Sequence, residues 1–397
     1  MRPGARPLAL AGALAFAFAG GVLGPVAAAA PPPIAPGERP VEGSPEAELW
    51  YGMARAEQDL RGLPQRERDA ALNAYVQDVL CRVAGPHCGD LRLYVVRTPE
   101  FNASMAPNGA TMVFTGALLR LRTEDELAML LGHEFAHYRQ RHALRQWQAG
   151  KRSSAALGTI GLATLGAGVG IVGGVAELAG AAGLSGYSRE HEREADALGA
   201  GFAIAAGYAP DAGLALWERL AREEAATVGQ RRHRVFASHP ETGDRIDAHR
   251  RLAAAATAPP SEALRARRER YQAAIAPFLD GWLAEELDRR RYAASIQSIG
   301  ELHAEAPPTW RGRTAHYLGE AYRRRNGDGD AARAAALHAE AVTAPDAPPA
   351  AFREHGYALR AAGDHAGARA ALAHYLTLRP DAPDRAFVER DLEALPP

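Results

Sequence analysis

The sequence of 397 residues contains only two cysteines and a single lysine, and it has almost no net charge. Two cysteines exclude a fold held together by many disulfides. The scarcity of lysine beside abundant arginine and alanine indicates a GC-rich genome and not a function. A net charge of −1 provides no excess of positive charge for binding phosphates, so nucleic acid is not an expected partner. The 47% apolar and 23% charged residues indicate an ordinary folded protein, long enough for two domains.

The N-terminal thirty residues lack acidic side chains. Arg2 and Arg6 precede an uncharged stretch over residues 8–26, and a run of alanines follows. This pattern predicts a cleaved secretory signal peptide over residues 1–30, and the glycine and alanine content disfavours the alternative of an uncleaved signal anchor. Residues 31–45 are rich in proline and glycine, which predicts an extended linker outside the core. We therefore expect a periplasmic or otherwise secreted protein.

The two cysteines, Cys81 and Cys88, are seven residues apart. In an oxidising compartment they can form a disulfide, and closing so short a loop stabilises the fold by about 2.5 kcal/mol in the chain-entropy model. The alternative is a pair of free thiols at the end of a helix and in the loop that follows it. Two cysteines at this spacing, without a second pair, make a poor structural zinc site.

Two kinds of hydrophobic pattern follow the linker. Apolar residues at three- and four-residue steps predict helices over about 46–61 and 67–84. Short runs rich in β-branched and aromatic residues come next, at 91–96 and 110–114, with a turn-forming Pro-Asn-Gly sequence at 107–109 between them. These runs predict a small antiparallel sheet.

A further helical pattern begins at Thr123, an N-cap residue with Glu126 three positions later, as in a capping box. This helix carries an HExxH sequence, in which His133 and His137 are one turn apart on the same face. Both imidazoles can therefore reach one Zn²⁺, and Glu134 can take a proton from water activated by the metal. The alternative is an amphipathic helix that exposes two histidines at its surface.

A later helical segment, Ser188–Asp196, offers carboxylates for a third ligand position. It contains the sequence Glu-Arg-Glu-Ala-Asp at 192–196. This ExxAD pattern after HExxH resembles peptidase family M48, a family of zinc metallopeptidases. The resemblance implies one Zn²⁺ per chain, with Glu192 as its third ligand and Asp196 as the support of a ligand histidine. Glu190 and Glu194 do not precede the aspartate by four residues, and we interpret them as solvated charges.

The likeness to family M48 covers about residues 46–255 and includes a Ser-His-Pro sequence around His239, similar to a segment of the periplasmic members. There the resemblance implies that His239 approaches the zinc as a fourth ligand and holds the enzyme in a resting state. The alternative is a histidine that only packs on the cleft. His142 follows His137 by five residues, about 140° around a helix, and is predicted to point away from the metal.

Residues 155–186 form an apolar stretch rich in glycine and alanine between the two candidate ligand segments. We interpret it as a flap beside the cleft with peripheral membrane contact, and a buried helical hairpin is the alternative. Its length would allow a transmembrane helix, but a single crossing would place Glu192 on the opposite side of the membrane from His133 and His137. The positions of the ligands therefore disfavour a membrane span.

The chain from 260 to 397 has a helical pattern rich in arginine, alanine and glutamate. Gly319 and Gly356 lie 37 residues apart in similar surroundings, and these units resemble tetratricopeptide repeats, which have a period of 34 residues. Stacked repeats bury faces that one helix pair cannot cover. The expected fold is α+β and mostly helical: a zincin-like metalloprotease domain at 46–255 with a small antiparallel sheet, followed by an α-helical repeat array.

These features predict a zinc metalloendopeptidase of the cell envelope that cleaves peptide bonds with water activated by Glu134. The resemblance to periplasmic M48 members with tetratricopeptide repeats implies a role in assembly or quality control of outer-membrane proteins, with misfolded forms as substrates and other proteins bound by the repeats. Two alternatives stay open. One is a periplasmic chaperone or adaptor whose metal site is closed by His239, and the other is an integral-membrane peptidase that acts on membrane substrates.

Overall fold

The computed structural model describes residues 31–157, 187–227 and 242–396. The predicted signal peptide (1–30), most of the apolar segment at 155–186, and His239 lie outside the described residues. Within the described ranges, no helix is both long enough and apolar enough to cross a membrane. The described residues from Pro33 onwards belong to one compact unit.

Helices dominate the described chain and a small sheet lies in its first part, which confirms the predicted fold class. The elements before the first gap are α1 (Pro45–Gly62), α2 (Ala70–Ala84), a 3₁₀ turn (Gly85–Asp90), β1 (Arg92–Val96), β2 (Ala103–Met105), β3 (Ala110–Phe114), α3 (Thr115–Arg120), α4 (Glu124–Arg139) and α5 (His142–Leu157). The later elements are α6 (Arg189–Ala205), α7 (Ala212–Ala225), α8 (Thr242–Ala255), α9 (Ser261–Ile275), α10 (Leu279–Asp288), α11 (Tyr292–Ala304), α12 (Arg311–Arg325), α13 (Asp330–Ala341), α14 (Pro349–Ala361), α15 (His365–Leu378) and α16 (Arg385–Glu393).

The sheet has the strand order β1-β3-β2 and is mixed, so the predicted antiparallel pairing of residues 91–96 with 110–114 is wrong. β1 and β3 run parallel, with Arg92 opposite Ala110, whereas β2 and β3 are antiparallel. The turn at Gly109 joins β3 to β2, a strand of three residues that is too short to show a period in the sequence. The chain therefore reverses twice between β1 and β3, which makes these two strands parallel.

The predicted linker at 31–45 is not an extended tether, because it packs on the rest of the fold. Ile34 is only 4% exposed and belongs to the main hydrophobic core, and its backbone N–H donates to the Arg139 carbonyl oxygen at 2.8 Å. The Gly37 N–H donates to the Asp90 carboxylate at 2.8 Å. A segment with one anchoring apolar residue has no periodic pattern, so composition alone could not show this docking.

Cys81 and Cys88 form a disulfide, with 4.6 Å between their Cα atoms. The bridge joins the last part of α2 to the 3₁₀ turn that leads into β1. Because these are the two cysteines of the sequence, neither is a free thiol in this structure.

One hydrophobic core extends across the predicted domain boundary near residue 260. Phe135 of α4 lies in the same core as Tyr271 of α9 and Trp310, which precedes α12. The Tyr271 hydroxyl also donates to the Leu118 carbonyl oxygen at 2.5 Å. The first helices after the boundary therefore pack as part of the fold around α4, and the division into two domains stays a prediction.

The later helices pack in neighbouring pairs, α12 with α13 and α14 with α15. Glycines allow close contact within each pair, since an added Cβ at Gly319 would lie 2.8 Å from the His338 ring and one at Gly356 would lie 2.8 Å from Leu372. This arrangement is consistent with the predicted repeat array. Its assignment as tetratricopeptide repeats stays a prediction.

A buried ionic cluster links three helices of the fold. Arg120 of α3 is 1% exposed, and its guanidinium donates twice to Glu223 of α7 at 2.6 Å and once to Glu286 of α10 at 3.0 Å. Arg289 also donates to Glu286 at 2.8 Å. Although burial opposes its charge, the two carboxylates raise the pKa of Arg120, so it stays protonated. The cluster joins the predicted peptidase domain to the helices that follow it.

Candidate metal centre

Helices α4 and α6 cross with their backbones in contact, and this crossing brings the candidate ligands together. A Cβ added at Gly132 would lie 2.4 Å from the Gly199 carbonyl oxygen, and one added at Gly199 would lie 2.6 Å from the His133 backbone nitrogen. Glycine is therefore the residue that fits at both positions. As a result, the turn of α4 that carries His133 lies close to the turn of α6 that carries Glu192.

The donor atoms of His133, His137 and Glu192 converge on one buried point. The two histidine Nε2 atoms are 3.0 Å apart, and each lies 3.6 Å from an oxygen of the Glu192 carboxylate. Two imidazoles and a carboxylate that meet in this way form a donor set suited to Zn²⁺. Burial and the positive charge of Arg245 lower the pKa of His133 to about 4, so this imidazole is neutral near pH 7, as metal binding requires.

Glu134 lies between the two histidines in the buried part of α4, with 3% of its surface exposed. A carboxylate enclosed beside a metal site can take a proton from a water molecule within that site. The structure thus keeps the predicted base on the helical turn that carries both candidate histidine ligands.

Asp196 lies one turn after Glu192 on α6, and its carboxylate is 2.9 Å from Nδ1 of His133. Arg245 of α8 donates from Nε to both Asp196 oxygens, at 3.1 and 3.0 Å, and its guanidinium lies over the Trp217 ring. Burial raises the pKa of Asp196, but Arg245 and the hydrogen bond from His133 bring it well below its ordinary value. Asp196 is therefore charged and lies where the family resemblance places it, beside a candidate ligand histidine.

His142 contacts His137 directly, so the prediction that it points away from the metal is wrong. That prediction requires one continuous helix, but α4 ends at Arg139 and Arg141 adopts a left-handed conformation with φ of 53°. Helix α5 then begins at His142 and brings its Nδ1 to 2.9 Å from Nδ1 of His137. Glu194, interpreted from the sequence as a solvated charge, lies 3.1 Å from His142 Nε2.

The sequence contains a weak signal for one of these supporting features. Glycine inside a helix costs about 1 kcal/mol relative to alanine, so Gly132 and Gly199 are positions where a close contact can be suspected. The break between α4 and α5 has no such signal in the local sequence. Arg141, at the break, forms ion pairs with Glu38 and Glu46, and these partners are distant in the chain. Ion pairs between residues so far apart in the sequence can be identified only from the folded structure.

Replacing Gly199 with alanine is expected to weaken both folding and metal binding. The added methyl group would meet the backbone of α4, which cannot move away without separating the ligands on the two helices. Overpacking of this kind costs about 1–3 kcal/mol. Chemical unfolding and zinc titration of the variant measure the two effects.

Gly201→Ala is the matched control, because Gly201 lies in the same helix and an added Cβ there meets no neighbouring element within 4 Å. This control is expected to keep its metal affinity and to gain up to about 1 kcal/mol in stability from the better helix propensity of alanine. Equal stability and equal zinc affinity in the two variants would show that the helix crossing does not determine the site.

A buried HExxH helix, crossed by a second helix that carries a glutamate and an aspartate, is an arrangement typical of metal-dependent peptidases. The comparison with known families agrees with this geometry, because residues 66–253 match the model of Peptidase family M48. This segment, which is similar to Peptidase family M48, contains His133, His137 and Glu192.

Several curated proteins are similar to the chain. The putative beta-barrel assembly-enhancing protease of Vibrio cholerae is 29% identical over 258 residues, which cover 62% of this chain and 50% of that protein. The mitochondrial metalloendopeptidase OMA1 of Schizosaccharomyces pombe is 34% identical over 177 residues, 43% of this chain and 50% of the relative. The beta-barrel assembly-enhancing protease of Escherichia coli is 28% identical over 198 residues, 47% and 40% respectively. The chain thus matches half or less of the length of these relatives.

Proposed function

We propose that the chain is a zinc metalloendopeptidase in which one Zn²⁺ binds His133, His137 and Glu192. The observation that carries this proposal is the convergence of three buried donor groups from two crossing helices. Two imidazoles and one carboxylate form the ligand set of catalytic zinc sites that keep a position open, unlike structural sites with four protein ligands. The match of residues 66–253 to Peptidase family M48 supports the same conclusion.

The proposed reaction adds water across a peptide bond. Zinc, when bound, lowers the pKa of water towards 7 and polarises the carbonyl group of the substrate. Glu134 takes a proton as the water oxygen attacks the carbonyl carbon, and it gives this proton to the amine nitrogen as the C–N bond breaks. Asp196 accepts a hydrogen bond from Nδ1 of His133, so that Nε2 of this ring stays directed at the metal position.

The proposed place of action is the cell envelope. The predicted signal peptide would direct the chain out of the cytoplasm, and the Cys81–Cys88 disulfide suits an oxidising compartment. The names of two bacterial relatives refer to beta-barrel assembly, which supports misfolded or unassembled outer-membrane proteins as substrates. The helices after residue 260 would offer a surface for protein partners.

Removal of zinc is expected to abolish cleavage of an unfolded protein such as casein, and one equivalent of zinc is expected to restore it. The reason is that the substrate carbonyl and the attacking water both depend on the metal for activation. Metal analysis of the full chain before and after chelation measures zinc content, and casein hydrolysis measures activity. Undiminished cleavage after complete loss of zinc would contradict the proposal.

The same assay includes His239→Ala, because the resemblance to periplasmic M48 members implies that His239 closes the site. A latent parent chain combined with an active variant would support that closure. If the zinc-loaded parent and the variant are both inactive, the chaperone or adaptor alternative is favoured instead. Comparison with His239→Ala therefore distinguishes an enzyme whose site is closed by His239 from a chain that has no peptidase activity.

A further inference from the structure

Each zinc-binding histidine needs a partner at its second ring nitrogen to fix the tautomer and orientation of the ring. For His133 this partner is the carboxylate of Asp196, 2.9 Å from Nδ1. For His137 it is another histidine, because Nδ1 of His142 lies 2.9 Å from Nδ1 of His137. The two candidate histidine ligands are thus supported by different chemistry.

The contact between His137 and His142 has one consistent assignment of protons when Nε2 of His137 faces the metal. His137 then carries its proton on Nδ1 and donates it to Nδ1 of His142, which must be unprotonated. The proton of His142 consequently lies on Nε2, and this nitrogen is 3.1 Å from the carboxylate of Glu194. Both hydrogen bonds are therefore satisfied at once, with donors and acceptors alternating from the candidate ligand to the carboxylate.

The surroundings of His142 hold this arrangement in place. Its side chain is completely buried and stacks on the ring of His191, with 4.3 Å between the ring centroids. Arg145 donates to Glu194 at 3.2 Å, which favours the charged form of the carboxylate that accepts from His142. Rotation of the His142 ring would break its stacking contact and both hydrogen bonds.

We propose that His142 and Glu194 are positioning residues of the zinc site, which hold His137 in the tautomer and orientation that the metal requires. This inference rests on the zinc binding proposed above. Glu194 lies on α6, two residues after the ligand Glu192, so the two hydrogen bonds also connect α5 to the helix that supplies the third ligand. A carboxylate thus acts on His137 through a second imidazole and not directly.

Four variants of the full chain test this proposal. His142→Leu removes both hydrogen bonds, whereas His142→Gln can still accept from His137 through its amide oxygen and donate to Glu194 through its amide nitrogen. Glu194→Gln removes the charge at the end of the hydrogen-bonded chain. Glu190→Gln is the matched control, because it makes the same change on the same helix at an exposed position.

We expect His142→Leu to raise the zinc dissociation constant by about 10- to 100-fold and to alter the visible absorption of the Co²⁺-substituted protein. His142→Gln is expected to recover most of the affinity, and Glu194→Gln to lose less than His142→Leu. Glu190→Gln is expected to match the parent. Competition with a chromophoric chelator measures affinity without reference to peptidase activity, and thermal unfolding of the zinc-free chains shows whether each variant folds.

A zinc affinity and a cobalt spectrum of His142→Leu equal to those of the parent would overturn the proposal and leave the zinc site itself intact. Failure of the parent to bind zinc would overturn the proposed function and this inference together. If His142→Leu does not fold, Glu194→Gln and Glu190→Gln decide, and equal zinc affinity of these two variants would overturn the proposal.

Discussion

Glu134→Gln is expected to lower the rate of peptide hydrolysis by about 10²- to 10⁴-fold while zinc stays bound. Glutamine is nearly the same size as glutamate, so it fits the buried position of Glu134 in α4. It cannot take a proton from water, however, and it has none to return to the leaving amine. Because Glu134 is not one of the three converging donors, the ligand set stays complete.

Initial rates on casein and the zinc content of the same preparation measure the two parts of this prediction. Glu190→Gln, the same substitution at an exposed position of α6, is the control and is expected to match the parent in both. Hydrolysis by Glu134→Gln at the parental rate would remove Glu134 from the mechanism. Loss of zinc from this variant would show that Glu134 acts as a ligand.

Arg120→Met is expected to lower the free energy of unfolding by about 3–5 kcal/mol, although it lies in the buried ionic cluster and not among the metal ligands. The substitution leaves Glu223 buried without the two hydrogen bonds that Arg120 donates. Glu286 loses one partner but still accepts from Arg289 at 2.8 Å. A buried carboxylate without a partner is costly, because the protein interior does not replace the water that it has lost.

Urea unfolding followed by circular dichroism measures this loss. Arg222→Met is a matched control on the same helix as Glu223, because Arg222 pairs with Glu301 at 2.5 Å while its side chain is 52% exposed. Exposed pairs contribute about 0–1 kcal/mol, so the control is expected to stay near the parent. A loss for Arg120→Met no larger than that of the control would show that the buried cluster does not stabilise the fold.

The residues proposed as ligands could be predicted because their pattern is local. Helix geometry places residues four apart on one face, so His133 and His137 are recognisable from their spacing. Glu192 and Asp196 required the resemblance to family M48 as well, because spacing alone does not show which of several nearby carboxylates faces a metal. The structure brings Glu192 to both histidines and Asp196 to His133.

The incorrect predictions concern places where distant contacts or short elements override a local pattern. The parallel pairing of β1 with β3 depends on β2, which is too short for its period to be seen. His142 turns towards the site because the chain breaks at Arg141, whose guanidinium pairs with Glu38 and Glu46. The same N-terminal segment docks on the core through Ile34, which its composition did not indicate.

By itself, the sequence identified His133 and His137 as candidate ligands and Glu134 as a candidate base, because HExxH places the two histidines on one face of a helix. Only the tertiary structure decided that α4 and α6 cross at Gly132 and Gly199, and that His142 and Glu194 lie beside the site. The physical reason is that local hydrogen bonds between residues four apart set the helix geometry, and this geometry decides which residues share a face. The crossing of two helices depends instead on packing between distant parts of the chain.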